Sequence, residues 1–509
     1  MASPVTSASP ASATATSAVI TLDRDSEAPL YRQVEGCLSE AILSGLLQAG
    51  TRLPSTRALA ESLGVSRNTI VLAFDELFGQ GLLDSQVGKG TFVTESFPDN
   101  LKEQPRATVA SSRGPALSER GKRINGLGLN RVRQYAPARA FRAGIPALDA
   151  FVLEPWRQVA ARAQRWSTAD MLGYGDPGGY RPLRQAIADF LGPTRAVHCS
   201  AAQVVIVSGS QQGLDLCARL LFDPGDRVLT EDPARSGATG AFAAADIDMV
   251  SVPMDGAGLR VDAGVAREPN ARAAYVSPSH QYPLGATMSL ERRHQLVRWA
   301  KSSNAWIIED DFDSEFRFEG PPLPAIQGMA PERVVYVGSF SRALFPSLRL
   351  GYVVVPDELV DTFLRARALM DRQSPIWEQA TLAEFITAGH LDRHLRRMRR
   401  IYLGRRDALS YYGQRDLAGL LEVRCDPAGL HATGVLQPEH SARCAELAAA
   451  QYGIDVLALS RLAREVELPP MLLLGFGVVP EAEMQAAVGS LANALRSLDV
   501  SGHQEALGG

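Results

Sequence analysis

The run RVVYVGSFSRALFPSLRLGY, residues 333–352, constrains this chain more than any other stretch. Val334 to Val337 form an unbroken apolar, largely β-branched run, the pattern of a buried strand. A Gly-Ser-Phe-Ser turn follows, then Arg342, Pro346 and Arg349, then a second strand from Leu350 to Val355. A guanidinium stays protonated at any ordinary pH and offers no free amine. Chemistry that needs a nucleophilic nitrogen therefore cannot start from Arg342.

The stretch belongs to a longer alternation. Strand-like runs at Val204–Val207, Arg227–Thr230, Ala273–Ser277 and Trp306–Asp310 alternate with helical ones such as Leu290–Lys301. That order predicts an α/β domain with a mostly parallel sheet, over residues 131–498. Between the first of these strands and its helix lies SGSQQG. A glycine-serine turn at a helix start presents backbone N–H groups to an anion, so Ser208, Gly209, Ser210 and Gln211 are candidate anion ligands.

Residues 25–95 carry a different pattern. Leu30, Val34, Leu38, Ile42 and Leu46 recur at helical spacing and predict a helix over 29–47. Ser55 opens a second helix, closed by Gly64, and Ser66 caps a third whose Ile70, Phe74 and Leu77 face inward. Two short helices around a Leu-Gly-Val-Ser turn make a helix-turn-helix. Residues 82–85 and 91–94, joined through Gly-Lys-Gly, make a two-stranded wing. A helical protein-binding domain is the alternative reading of this module.

The length of 509 residues allows two or three domains. A formal net charge of −4 excludes bulk attraction to nucleic acid, so any DNA contact must come from locally placed charge. Five scattered cysteines without CxxC spacing argue against a zinc site or disulfide framework and suit a reducing cytoplasm. No metal site is expected. Residues 1–24 read as a disordered tail, 96–130 as a linker and 499–509 as a second tail. A flexible linker of that length spans roughly 30–35 Å. No apolar run is long enough to suggest a membrane span. The basic run at 389–409 reads as a structural helix with a solvated face, the alternative being a second nucleic-acid surface.

These motifs carry a resemblance. Arg-Leu-Pro-Ser-x-Arg, Leu-Gly-Val-Ser-Arg-x-Thr and Gly-Lys-Gly-Thr-Phe-Val, in that order, resemble the GntR winged helix-turn-helix. The resemblance implies that the third helix enters the major groove of double-stranded operator DNA, with Ser66, Arg67, Asn68 and Thr69 at its reading end. Arg52, Ser55 and Arg57 would meet phosphates and base edges, and Lys89 the minor groove or backbone. Residues 131–498 are similar to fold-type I aminotransferases in the form carried by MocR (GabR-like) regulators, on SPSHQYPLG at 277–285, EDDFDSEFRF at 309–318 and the 333–352 stretch. That resemblance implies a homodimer, its winged modules exchanged between subunits, and a pyridoxal 5'-phosphate site. Asp310 would face the pyridine nitrogen, and His280 and Tyr282 belong to a matching motif. Ser208–Gln211, Ser339 and Arg349 would hold the phosphate.

The chain departs from the family pattern at four positions that touch cofactor ring or substrate. Arg342 stands where the family has the lysine that bonds the cofactor, and Phe312 where it has a tyrosine. Arg235 replaces a stacking tyrosine, and Leu473 falls where an arginine grips a substrate carboxylate. Four of the 52 basic residues are lysines (89, 102, 122 and 301), and none is placed to substitute. The expectation is a regulator that is not a transaminase. It would sense a small anionic effector, or non-covalent pyridoxal phosphate, through Arg235, Arg342 and Arg349. The alternatives are a working aminotransferase with a DNA-binding head and a ligand-blind dimerisation scaffold.

Overall fold

The computed structural model describes residues 16, 19–23, 26, 28–86, 89–94, 116–127, 138–165 and 168–506, the last eight as backbone. Most of the expected N-terminal tail and residues 96–115 and 128–130 of the expected linker lie outside the described residues. The chain divides into two compact units, which meet in sequence at residues 116–117.

In the first unit, α1 (Leu30–Leu43), α2 (Thr56–Leu63) and α3 (Arg67–Gly79) precede β1 (Leu83–Gln86) and β2 (Gly90–Val93). The Ser55 hydroxyl accepts the Ala58 N–H at 3.3 Å, and the Ser66 hydroxyl accepts the Thr69 N–H at 3.1 Å. Each satisfies a donor that a helix start leaves open. Gly64 ends α2 at φ +62°, a left-handed turn that glycine adopts without strain. α3 buries Ile70, Ala73, Phe74 and Leu77, one stripe of a helix. The antiparallel wing pairs Leu83 with Val93 and Gln86 with Gly90. The first helix is shorter than its periodicity predicts. It stops at Leu43, and Gly45 takes φ +78°. Leu46 is then exposed, and Leu47 enters the core in its place.

The second unit begins with α4 (Glu119–Gly126), α5 (Leu153–Arg165) and α6 (Arg181–Arg195). Then come β3 (Val204–Val207), α7 (Ser210–Leu221), β4 (Arg227–Asp232), α8 (Ser236–Ala244), β5 (Asp248–Asp255) and β6 (Gly258–Leu259). α9 (Val261–Arg267), β7 (Ala273–Val276), α10 (Leu290–Ser302), β8 (Trp306–Asp311), β9 (Val334–Ser339) and β10 (Gly351–Val354) follow. Strands β3 to β10 form one eight-stranded sheet in the order 3-10-9-8-7-4-5-6. β4, β5, β7, β8 and β9 run parallel, while β10 is antiparallel to both β3 and β9. β3 therefore points the same way as β9, and Ser208, Asp310 and Ser339 arrive at one edge of the sheet. β3, β7 and β10 are buried at every position, as their unbroken apolar runs require.

Beyond the sheet lie α11 (Val360–Met370), α12 (Ile376–Thr387) and α13 (His390–Asp416). β11 (Leu421–Cys425), β12 (His431–Leu436), α14 (Ala442–Gln451), β13 (Leu457–Ala458), β14 (Met471–Gly475) and α15 (Met484–Ala506) complete the unit. Its second sheet has the order 11-12-14-13. Two expected boundaries shift. α4 lies inside the expected linker and packs on α8, with Arg123 3.4 Å from Asp246. α15 runs past residue 498 into the expected C-terminal tail. The basic run forms α13, which buries Leu391, Leu395, Met398, Tyr402 and Leu409. Its Arg405 is buried and bonds Asp149 and the Gly477 carbonyl.

Candidate functional site

Each of the two units carries a candidate site. In the first unit, Arg52, Ser55, Arg57, Ser66, Arg67, Asn68 and Lys89 are exposed and Thr69 is half-buried. Ser55 and Ser66 both have capping hydroxyls, and Ser66 Oγ also lies 2.8 Å from Thr69 Oγ1. Arg67 Nε donates to Thr56 Oγ1 at 3.4 Å, which lays its side chain back toward α2. Asn68 and Arg57 are exposed on α3 and α2.

In the second unit, the cleft lies at the C-terminal ends of the parallel strands, where open α/β sheets place their ligands. Asp310, at the end of β8, is buried. Its Oδ2 accepts from the Tyr275 hydroxyl and from Arg235 Nη1, each at 2.7 Å. Its Oδ1 is buried with no partner among the described residues. Arg235 reaches on to Ser210 Oγ at 3.0 Å, so its guanidinium spans the cleft from Asp310 to the start of α7. Burial would lower the Arg235 pKa, but Asp310 outweighs it and the guanidinium is held more firmly protonated. Burial, then the Asp310 charge, pushes the Tyr275 phenol well above its ordinary range.

The second arginine is also paired. Arg342 Nη1 lies 3.0 Å from Asp313 Oδ2, and its Cζ sits 4.4 Å from the Phe312 ring centroid and 5.9 Å from that of Tyr282. Asp313 also faces His280 Nδ1 at 3.3 Å. Burial alone would raise the Asp313 pKa, but His280 and Arg342 outweigh it and hold the carboxyl below its usual range. The expected cluster of three arginines is thus not a bare cationic pocket. Arg235 and Arg342 each carry an aspartate, because a buried guanidinium without a countercharge is costly.

At the anion end, the Ser208 and Gly209 N–H groups are taken by Gln212 Oε1 and the Val207 carbonyl. Those of Ser210 and Gln211 open the first turn of α7. The Gln211 side chain turns away to the Gly237 carbonyl. Arg349 Nη2 donates to the Ser208 carbonyl at 2.7 Å. A Cβ at Gly209 would come within 3.1 Å of that guanidinium, and the residue's φ of +84° is one that glycine adopts without strain. Ser339 Oγ donates to Ser341 Oγ at 3.1 Å and accepts the Ser341 N–H at 3.2 Å.

Three contributors have no distinct signal in the sequence. Tyr275 is one residue of a strand-like run, and Asp313 one acidic residue of EDDFDSEFRF. His431 gave no local signal, yet its ring lies 4.7 Å from that of His280. Burial, then the neighbouring His280, drops the His431 pKa well below its ordinary value, so its ring is neutral. His280, Asp313 and His431 offer ligand atoms within 4.8 Å of one another, a grouping the sequence spacing did not predict. The Arg342 cation on Asp313 opposes a divalent ion there.

Pyridoxal phosphate can be tested against these residues. Ser210, Arg349 and the start of α7 suit a phosphate, and the unpartnered Asp310 Oδ1 suits an N–H donor. Phe312 offers no hydroxyl and Arg342 no amine. The residues fit a phosphate-bearing ligand.

A winged helix-turn-helix beside a fold-type I aminotransferase body defines a class of transcription regulator. Residues 30–93 match the bacterial regulatory proteins of the gntR family, and residues 141–412 match aminotransferase class I and II. The chain is 37% identical to the probable rhizopine catabolism regulatory protein MocR of Rhizobium meliloti, over 95% of this chain and 97% of that one. It is 29% identical to the pyridoxine biosynthesis transcriptional regulator PdxR of Corynebacterium glutamicum, over 89% and 93%. Among solved structures, the α-aminoadipate aminotransferase LysN of Thermus thermophilus aligns with a TM-score of 0.69 and 27% identity, over 75% of this chain and 98% of that one. The chain belongs to the MocR-type GntR regulators, HTH-type transcription regulators with an aminotransferase-like domain.

Proposed function

We propose that the aminotransferase-like domain of this regulator dimerises and senses a small anionic ligand, without catalysing transamination. The observation that carries the reading is the state of Arg342. The family's cofactor-bonding amine is replaced by a guanidinium whose charge is engaged by Asp313 at 3.0 Å and whose plane rests on Phe312. Without a free amine there is neither covalent anchor nor proton shuttle for amino-group transfer. When bound, pyridoxal phosphate would supply a phosphate and a ring nitrogen for recognition. Arg349, Ser210 and the α7 start would hold the phosphate, and Asp310 Oδ1 would accept from the ring nitrogen. Arg235, strung between Asp310 and Ser210, is the group a ligand must rearrange, and a shift there is the signal passed to the dimer. The relative whose name ties it to pyridoxine biosynthesis favours a vitamin B6 phosphate among the anions.

The test is an absorbance titration of the full chain with pyridoxal phosphate, followed by borohydride treatment and mass spectrometry. The expected result is saturable binding, or binding of another phosphate ester, with no mass added to any cleft residue. A covalent adduct in the cleft would favour the working aminotransferase instead. Operator affinity that no phosphate ester or carboxylate alters would favour the ligand-blind scaffold.

A further inference from the structure

Behind the cleft, on the far side of the loop that follows β8, lies a second cavity of about 360 Å³. The C-terminal end of α6, residues 314–322 and the first turns of α13 border it, and its charged lining is Arg195, Glu315, Arg317, Asp392, Arg396 and Arg399, four guanidiniums to two carboxylates. Arg195 is fully engaged by Asp311, Ser279 and the Leu323 carbonyl. The other three arginines are not balanced in this way. Among the described residues, no carboxylate forms an ion pair with Arg317, Arg396 or Arg399. Arg399 donates only to the Glu315 main-chain carbonyl, at 2.6 Å.

Arg317 is the informative residue. Its backbone is fixed by a bridge to Ala428, with Phe316 and Phe318 bonded to Gly429 and Pro427 on either side. Its Nε and Nη1 are buried and have no partner among the described residues. Buried donors in a native protein are paired with protein, water or ligand, so two orphans on the guanidinium of a residue that lines the cavity mark a missing acceptor. Glu315 does not fill the role. Burial, with the Asp311 charge added, pushes its carboxyl up to about 7, so it is only partly ionised near neutral pH.

We propose that this cavity is a second anion-binding site, distinct from the cleft, taking a small phosphate or carboxylate on Arg317, Arg396 and Arg399. A guanidinium presents its donors in a fork that matches either oxyanion. The site bears on the cleft through one loop. Asp313 and Phe312 hold Arg342 on one side of that loop, while Glu315 and Arg317 face the cavity on the other. An anion seated in the cavity bears on the segment that sets Arg342.

Calorimetry of the full chain decides the matter, with inorganic phosphate and succinate as probes in an Arg349→Met background that weakens the cleft. The expected result is saturable binding of one or both probes, weakened at least tenfold by Arg317→Met and by Arg396→Glu. The probe that binds identifies the oxyanion. Arg396 is exposed, so Arg396→Glu keeps the fold and decides alone should Arg317→Met not fold. No heat with either probe, or isotherms that Arg396→Glu leaves unchanged, would overturn the proposal. Failure of the cleft reading looks different: phosphate binding would then be equal with Arg349 and with Met at that position.

Discussion

Asp313 holds the cleft together at the level of single residues. It is buried and serves both Arg342 and His280, so its removal strands two groups rather than one. Breaking a buried pair from one side costs about 3–5 kcal/mol, because the remaining charge keeps its desolvation penalty. Asp313→Asn is therefore expected to lose about 3 kcal/mol in urea unfolding, and Arg342→Met less, since Asp313 keeps His280. The pH dependence has two opposed parts. Asp313 titrates below its ordinary range in the folded chain, so its contribution is present above the unfolded carboxylate pKa and is lost in acid. Glu315 is raised to about 7. Between the ordinary carboxylate range and about 7, the folded state keeps a proton that the unfolded state has released, so stability falls as pH rises through that window. Glu315→Gln should flatten the decline in unfolding midpoint between pH 5 and pH 8. Some slope will persist, because burial raises Glu231 to about 8 in the same direction.

The helix-turn-helix is the element whose making was most legible in the sequence. Ser55, Gly64 and Ser66 are start and stop signals that act within four residues of themselves, and the structure uses each as read. The first helix is shorter than its apolar stripe implies, because periodicity does not register that Gly45 turns the chain first. In the second unit, strand existence was legible and strand order was not. The antiparallel insertion of β10 between β3 and β9 is a long-range pairing with no local signature. The same limit hid Tyr275 and His431, whose partners lie far away in sequence. The reading end of α3 can be separated from its scaffold by mutation. Ser66→Ala should cost about 1 kcal/mol through the lost cap. Asn68→Ala should leave the melting temperature unchanged and weaken binding to operator DNA selected from random duplexes. Base contacts of this kind contribute about 1–3 kcal/mol each, a loss of roughly fivefold to a hundredfold by fluorescence anisotropy. Equal DNA affinity for Asn68→Ala would place the reading face elsewhere.

The proposed dimer joins two such heads, since groove readers gain specificity by spanning two half-sites. The second unit exposes large apolar side chains that a second copy would cover. Leu172, Tyr174 and Leu369 are 77%, 83% and 89% exposed. Arg372 lies over the Tyr174 ring at 4.8 Å, and the neighbouring Gly175 N–H bonds Gln373. That segment continues to Ser374, whose hydroxyl is 3.5 Å from Ser208 at the anion end of the cleft. A second copy seated on this face would bury the apolar side chains and lie against the ligand site at once. Ligand occupancy and subunit packing would then be one equilibrium, which is what coupling between effector and DNA spacing requires. Leu369→Asp together with Tyr174→Asp should convert the dimer to monomer in analytical ultracentrifugation. Operator affinity should fall by more than tenfold, while the unfolding free energy of the monomer stays within about 1 kcal/mol of the parent's on correction for concentration. A chain that stays dimeric with both aspartates present would move the interface to another face and uncouple it from the cleft.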